Sequence, residues 1–361
     1  MKTALIAMSG GVDSSVAAWR MVQAGYSCVG ATMRLYENED LAAPRVGTCC
    51  SLEDVEDARA VAAKIGIPYY VFNFKEDFSG QVMDRFVSAY EQGITPNPCI
   101  DCNRYLKFDR MYRRARELGL SCVVTGHYAR ICRGENGRWL LKKGPDPGKD
   151  QSYVLYAMTQ EQLAHTQFPL GELTKEQVRA IALEQGFVNA KKHDSQDICF
   201  VPDGDYAAFI CRRTGRDYPE GNFIDPEGNV LGRHRGIIHY TIGQRRGLGV
   251  SGGRPLYVKE IRPEDNTVVL ADNDRLYERE ALAADFNWIA FEAPTEPIRV
   301  KARARYHQPE QDATARVLPD GRVQVVFDQG QRALTRGQAL VLYQGDTVVG
   351  GGTIAATGIS G

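Results

Sequence analysis

Two sets of residues in this sequence have the types and spacing for chemistry. The first is Ser9-Gly10-Gly11-Val12-Asp13-Ser14-Ser15, directly after a short apolar run at residues 3–8. Two adjacent glycines let the backbone approach an anion closely. Hydroxyls and the N–H groups of a following helix then meet negative charge where the helix dipole favours it. A Walker-type loop would need a lysine before its terminal Ser or Thr, and this run has none, so γ-phosphate transfer is not the expectation. The competing interpretation is a helix-capping turn that merely contains serines. Its setting, between an apolar strand and a helix, favours an anion cradle.

The second set is made of cysteines. Asn97-Pro98-Cys99-Ile100-Asp101-Cys102-Asn103 places two thiols three residues apart, ahead of an arginine-rich stretch. A helix N-terminus and nearby cations both lower a thiol's pKa, which makes thiolate available as nucleophile or ligand. A redox pair and a zinc site are the alternatives. Structural zinc wants four ligands, and no second Cys-x-x-Cys stands at ribbon spacing. Cys199 lies in His193-Asp194-Ser195-Gln196-Asp197-Ile198-Cys199-Phe200, and its polar neighbours suggest a reactive thiol, although free cysteine is commonly buried. Cys49 and Cys50, before a helix, are ambiguous, while Cys28, Cys122, Cys132 and Cys211 sit in apolar stretches as packing residues. Gly247-Leu248-Gly249-Val250-Ser251-Gly252 matches the dinucleotide fingerprint, but Gly253, Arg254 and Pro255 follow it instead of a helix. It is expected to be a loop.

The rest of the chain must position these groups. Its 361 residues are enough for two or three domains, with an ordinary 43% apolar and 25% charged content. Net charge is −1, yet residues 1–100 carry 8 Lys/Arg against 12 Asp/Glu, and residues 101–160 carry 12 against 6. Arg110, Arg113, Arg114 and Arg116 crowd that second stretch, as a phosphate-holding face or as a solvated helix face. The opening MKTALIAM is too short for a signal peptide, and no apolar run approaches the roughly 18–20 residues of a membrane span. Nine scattered cysteines do not resemble a disulfide framework, so a reducing cytoplasmic setting is expected.

Apolar runs at 3–8, 28–35, 68–74 and 121–131 predict strands. Helical spacing at 16–23, after Ser51, at 77–92 and at 104–118 predicts helices between them. Alternation of this kind predicts an α/β fold with a parallel sheet and its ligand site at the strands' carboxyl ends. After about residue 200 short β-like runs dominate: 236–240, 255–261 and 267–270, then 298–306, 314–317, 322–327, 339–343 and 347–354. The last group predicts a small barrel. The expected modules are 1–200, a central domain at 201–282 and a C-terminal β barrel at 283–361.

Taken in order, the loop at 9–15, Thr95-Pro-Asn-Pro-Cys-Ile-Asp-Cys-Asn103, Thr125-Gly-His-Tyr-Ala-Arg130, Lys149-Asp-Gln-Ser-Tyr153, Asp194-Ser-Gln-Asp-Ile-Cys-Phe200, Thr241-Ile-Gly-Gln-Arg-Arg-Gly-Leu-Gly249 and Arg305-Tyr-His-Gln308 resemble the bacterial tRNA-specific 2-thiouridylases. Those enzymes carry an ATP-pyrophosphatase domain, and the first motif resembles its pyrophosphate loop. The resemblance implies ATP-dependent conversion of the wobble uridine of tRNAs for Glu, Gln and Lys into 2-thiouridine. ATP would contact Ala7, Met8, Ser9, Gly10, Gly11, Val12, Asp13, Ser14 and Ser15, with Met33 and Gly126 on the adenosine side and Mg²⁺ on the departing pyrophosphate. Cys199 matches the residue that carries a persulfide delivered by a cysteine desulfurase or sulfur-relay protein, and Cys102 matches the second catalytic thiol. Asn97, Pro98 and Cys99 match the target-base loop, and Lys149, Asp150, Gln151, Arg305, Tyr306 and His307 match tRNA contacts. A monomer away from membranes is implied. Some members carry Asp where this chain has Cys99, so a carboxylate role there does not transfer. Cys99, Cys102 and Cys199 would supply three ligands for a four-iron, four-sulfur cluster, an alternative route for the sulfur. Two other functions compete: an ATP pyrophosphatase acting on a small molecule, and a non-catalytic tRNA-binding sulfur carrier.

Overall fold

Ala4, Leu5 and Ile6 are fully buried, which is how a strand with helices on both faces must look. In the computed structural model, which describes residues 2–36, 52–193, 198–250 and 253–358, they form β1 (Thr3–Ala7). It is followed by α1 (Val12–Gln23), β2 (Ser27–Arg34), α2 (Leu52–Ile65) and β3 (Tyr69–Asn73). Next comes a broken helical arm. It runs through α3 (Lys75–Phe78), a π-helical stretch (Ser79–Met83), α4 (Asp84–Glu91), α5 (Pro98–Asp101), a second π-helical stretch (Cys102–Arg110) and α6 (Met111–Glu117). Then come β4 (Cys122–Val124), β5 (Ala129–Arg133), β6 (Trp139–Lys143), α7 (Gln160–Ala164), β7 (Thr166–Gln167) and α8 (Lys175–Glu184).

β1, β2, β3, β4 and β7 make one parallel sheet in the order β3-β2-β1-β4-β7. The order reverses between β1 and β4, and a sheet of this kind opens a ligand crevice at that switch point. Loop 9–15 leaves β1 there. On one face Ala4, Ile6 and Met8 pack with Val16, Ala17, Val61 and Val178 of the surrounding helices. On the other, Leu5 joins Phe78, Phe86, Leu106 and Met111 of the helical arm.

The middle of the chain holds α9 (Tyr206–Thr214) and a four-stranded sheet, β10-β11-β8-β9. Its strands are β8 (Gly221–Ile224), β9 (Val230–His234), β10 (Tyr257–Arg262) and β11 (Thr267–Ala271). The C-terminal strands are β12 (Tyr277–Trp288), β13 (Ile298–Arg303), β14 (Gln311–Val317), β15 (Val323–Arg332), β16 (Ala339–Gln344) and β17 (Thr347–Thr357). Pairing of β12 with both β15 and β17 closes them into a barrel. Its interior is filled by small side chains such as Ala281, Ala302, Ala313 and Ala315 around Phe327, as a narrow barrel requires.

Several expectations need correction. Residues 121–131 are not one strand: β4 belongs to the parallel sheet, whereas β5 pairs with β6, and β6 continues the barrel sheet through Lys142 opposite Thr347. The break is the turn 125–128, which leaves the sheet to meet loop 9–15. Residues 236–240 form a 3₁₀ turn (Ile237–His239) entered through Gly236 at φ +108°, a conformation no strand uses. Helix α1 begins at Val12, so half of the polar loop lies in its first turns. Residues 247–250 form turn and loop without a helix, while Ser251, Gly252, Cys49, Cys50 and the capping Ser51 lie outside the described residues.

Candidate active site

Loop 9–15 is held from behind and left open in front. Gly11 takes the N-cap of α1, and among the described residues no side-chain cap bonds the first N–H groups of the helix. The serine hydroxyls turn inward: Ser14 and Ser15 each donate to Gly11 O at 3.0 Å, and Ser14 Oγ accepts Ser9 N–H at 3.1 Å. Gly10 adopts φ +74°, and a Cβ there would lie 2.2 Å from Asp54 O, so only glycine fits. Asp54 itself is buried against Lys192 at 2.7 Å. Burial pulls the Lys192 ammonium down, but the hydrogen bonds it donates to Asp54 and Asp57 outweigh this and hold its pKa above the usual value. Buried Asn189 donates to Gly10 O at 2.8 Å and to Ser15 Oγ at 2.9 Å. A rigid cradle of uncapped N–H groups at a switch point suits a polyphosphate.

Asp13 is the loop's charged member. Lys175 Nζ reaches both its oxygens, at 2.7 and 2.9 Å, and the Tyr128 hydroxyl donates to Oδ1 at 2.7 Å. Lys175 stands at the start of α8, where Thr174 and Gln177 form a capping box. Gly126 meets the same loop: a Cβ there would lie 2.9 Å from Asp13 C and 3.0 Å from Ser14 N. Ala7 and Met8 close β1 beneath the cradle, with Met8 O accepting the Thr32 hydroxyl at 2.6 Å, and Met33 is half-buried near the end of β2.

The cysteine arm is built from local capping. Asn97 Oδ1 accepts Cys99 N–H at 3.2 Å with Pro98 in the first helical turn, which starts α5 where a missing N–H costs nothing. Cys99 is exposed, and Cys102, half-buried, opens the second π-helical stretch. Arg85 and Arg104 both stack on the Tyr105 ring, at 5.1 and 5.4 Å, so cations flank the helix just past Cys102. Burial raises the Asp101 carboxyl pKa against the pull of those two arginines. Cys199 is anchored by its neighbour Phe200, which meets Phe78 and Phe86 edge-on at 5.7 and 5.3 Å, and its carbonyl accepts the Tyr36 hydroxyl at 3.2 Å. Residues 194–197 before it lie outside the described residues. Cys102 and Cys199 pack against the same large hydrophobic core. Among the described residues no three Cys, His, Asp or Glu stand together as metal ligands.

The residues matched to RNA contact divide into two kinds. His307 is exposed and Lys149 and Tyr306 are half-buried. Asp150, by contrast, is 7% exposed, and its carboxylate accepts from Gly144 N, Ser152 N and the Ser152 hydroxyl at 3.2, 3.1 and 2.9 Å. Gln151 exchanges two 3.0 Å hydrogen bonds with the Tyr128 backbone. Arg305 donates to Ala333 O at 2.7 Å, Thr335 Oγ1 at 2.9 Å and Ile242 O at 3.4 Å, clamping the central domain to the barrel. These three side chains face inward. Burial raises the Tyr306 phenol, and Asp150 adds to the rise; the Cys99 loop lies beside the barrel, where Thr95 N donates to Arg336 O at 3.1 Å. The arginine cluster is also paired: Arg110 with Asp77, Arg113 with Asp109, Arg114 with Glu117 and Arg116 with Glu161. Sequence reasoning missed Lys175 and Asn189, which carry no local signal, and passed over Tyr128 inside a motif it quoted.

Three family models match the chain: a tRNA methyl transferase HUP domain over residues 2–203, a tRNA methyl transferase PRC-barrel domain over 207–272 and an aminomethyltransferase beta-barrel domain over 278–354. Full-length relatives include the tRNA-specific 2-thiouridylase MnmA of Clostridioides difficile, 50% identical over 98% of both chains. The tRNA-specific 2-thiouridylase MnmA of Acetivibrio thermocellus is 52% identical over 98% of this chain and 99% of its own. MnmA 2 of Caldanaerobacter subterraneus is 52% identical over 97% of both.

Proposed function

The chain belongs to the tRNA-specific 2-thiouridylase family, and on that premise we propose that it thiolates the wobble uridine of tRNA by C2 adenylation and persulfide transfer. ATP lies over loop 9–15, its phosphates on the N–H groups of α1 and beside Lys175. The uridine C2 oxygen attacks the α-phosphorus and pyrophosphate leaves, so that AMP becomes the leaving group at C2. Mg²⁺ would ride on the phosphates and neutralise the leaving pyrophosphate. Among the described residues no acidic cluster offers it a cage.

Sulfur arrives from a cysteine desulfurase relay as a persulfide on Cys199. The Cys102 thiolate attacks the inner sulfur and forms a Cys102–Cys199 disulfide. The terminal sulfur is released as hydrosulfide, which attacks C2 and expels AMP. An external dithiol then reduces the disulfide. The observation that carries this reading is that two thiols far apart in sequence, Cys102 and Cys199, pack against one hydrophobic core. Asn97, Pro98 and the exposed Cys99 border the flipped base, and Lys149, Tyr306 and His307 face the RNA of tRNAs for Glu, Gln and Lys.

The test is a thiolation assay on anaerobically purified protein with tRNA, ATP and a sulfur source, alongside iron and acid-labile sulfide analysis. Cys102→Ser and Cys199→Ser are expected to abolish 2-thiouridine while ATP and tRNA still bind. Normal product from Cys199→Ser would remove the persulfide from the mechanism. Activity that follows bound iron and is also lost in Cys99→Ser would mean that the three cysteines are ligands. Pyrophosphate release independent of tRNA would favour a small-molecule pyrophosphatase.

A further inference from the structure

Tyr128 touches both halves of the site. Its hydroxyl donates to Asp13 Oδ1 at 2.7 Å in the nucleotide loop. Its backbone exchanges two hydrogen bonds with Gln151: Gln151 N donates to Tyr128 O, and Tyr128 N donates to Gln151 Oε1, each at 3.0 Å. The preceding carbonyl, Asp150 O, accepts the Tyr306 hydroxyl of the barrel at 3.3 Å. One line of hydrogen bonds and backbone thus runs from the RNA-facing Tyr306 through Asp150, Gln151 and Tyr128 to Asp13. Its middle is rigid. Tyr128 is 2% exposed and Asp150 7%, and close-packed groups of this kind have few alternative positions. The turn meets the loop a second time through Gly126, whose α-carbon leaves no room for a side chain against Asp13 and Ser14.

We propose that Tyr128 is a positioning residue that couples tRNA binding to ATP binding. The inference rests on the reading under Proposed function. RNA engaging Tyr306 and segment 149–151 fixes Gln151, Gln151 fixes the Tyr128 backbone, and the Tyr128 hydroxyl then sets the Asp13 carboxylate at the mouth of the phosphate cradle. Coupling between two ligands is reciprocal, so ATP must tighten tRNA by the same factor. Pyrophosphate would then be released efficiently only when an acceptor uridine is in place.

The experiment titrates the full-length protein with a non-hydrolysable ATP analogue, with and without tRNA, and with tRNA, with and without the analogue. In the unmodified protein each ligand is expected to tighten the other by about 5- to 10-fold, the low end of ordinary coupling. Tyr128→Phe keeps the buried ring and removes only the hydroxyl. Its coupling factor is expected to fall to about 1–2 in both directions, whatever happens to either affinity alone. A purely structural hydroxyl would shift the melting midpoint or one affinity and leave that ratio untouched. Gln151→Met removes one of the two bonds one step earlier in the line, the Tyr128 N–H to Gln151 Oε1 bond, and is expected to weaken coupling, which carries the test should Tyr128→Phe fold poorly. Wild-type coupling in folded Tyr128→Phe, or in Gln151→Met should the first not fold, overturns the inference, as does a coupling factor of one in the unmodified protein. If the unmodified protein thiolates tRNA and Tyr128→Phe keeps the coupling, the inference alone fails. If the unmodified protein neither binds nor thiolates tRNA, the functional reading fails and takes the inference with it.

Discussion

Gly126→Ala would test the geometry of the phosphate cradle most directly. The added Cβ would stand 2.9 Å from Asp13 C, 3.0 Å from Ser14 N and 3.1 Å from Asp13 Cβ. Two of those atoms are backbone and cannot swing aside. Ordinary contact needs about 3.5–4.0 Å, so the loop must retreat by about half an ångström. The residue shows no positive φ, so the fold pays only overpacking, about 1–3 kcal/mol. The retreating atoms belong to the first turn of α1, whose N–H groups are proposed to hold phosphate. Hydrogen bonds to a charged group contribute about 1.5–3 kcal/mol each. Weakening one or two of them by half predicts ATP binding about 4- to 150-fold weaker. Calorimetric titration with a non-hydrolysable analogue measures this. Gly80→Ala, with nothing within 4 Å of its Cβ, serves as a control expected to bind normally. A folded Gly126→Ala protein with unchanged ATP affinity would refute the placement of phosphate on this turn. Gly10→Ala is less informative, because its 2.2 Å clash with Asp54 O and its φ of +74° would disturb the domain itself.

Lys175→Met removes the ammonium that spans both Asp13 oxygens; Asp13 is 32% exposed, so the stability cost is discounted to about 1–2 kcal/mol. The KM for ATP is expected to rise at least about tenfold in a pyrophosphate-release assay, and an unchanged KM would exclude Lys175 from the nucleotide site. His234 gives a pH prediction. Its Nδ1 accepts Gly236 N–H at 3.0 Å while Nε2 faces Asn266 O at 3.0 Å, so only the neutral Nε2–H tautomer satisfies both. Burial lowers its pKa, against the Asn266 carbonyl, and the unfolded chain therefore takes up a proton first. Stability present above about pH 6.5 is lost as pH falls below it. The urea midpoint should drop from pH 7.5 to 5.5, and His234→Gln should flatten that drop; parallel pH profiles would exclude this residue as the cause.

What the sequence made legible was local. A strand, two glycines, hydroxyls and a helix start lie within a dozen residues, so loop 9–15 announces its own chemistry. Partner choice over long distances was not legible. Residues 122–124 are wholly apolar and 129–133 carry Arg130 and Arg133, yet runs this short and this close read as one strand, although the first joins a parallel sheet and the second a barrel sheet. β12 has a weak alternation because it pairs with strands on both sides through register shifts, so its alanines are buried where polar residues would be expected to alternate. The capping box at Thr174 reveals where α8 starts, but not that Lys175 reaches an aspartate 162 positions earlier. Local charge excess suggested an open arginine face, and the structure sets a carboxylate beside each arginine instead. Pairs this exposed are worth under about 1 kcal/mol, so they neutralise the face without locking it.

The largest difference between sequence and structure concerns the barrel. Read along the chain, it looks like an appended module. In the folded protein the β5–β6 hairpin of the catalytic half extends the barrel sheet, with Lys143 N donating to Asp346 O at 2.8 Å. Lys143 Nζ bonds Glu310 at 2.7 Å, and Arg303 reaches both Glu310 and the buried Asp150, at 3.2 and 3.8 Å. Desolvating such a group of charges is costly, and its return lies in fixing one arrangement of the parts that meet there. The same barrel pins the cysteine arm. Thr95 N donates to Arg336 O at 3.1 Å, Gln338 Nε2 donates to Thr95 O at 2.9 Å, and Ile100 packs in one core with Tyr153, Val341 and Tyr343. Cys99 and Cys102 are therefore carried on a segment whose position the barrel sets. On the proposed function, a wall that positions Cys99 and Cys102 and also carries the half-buried Tyr306 and the exposed His307 would hold an RNA loop and a thiol in one frame, which a tethered binding module could not do.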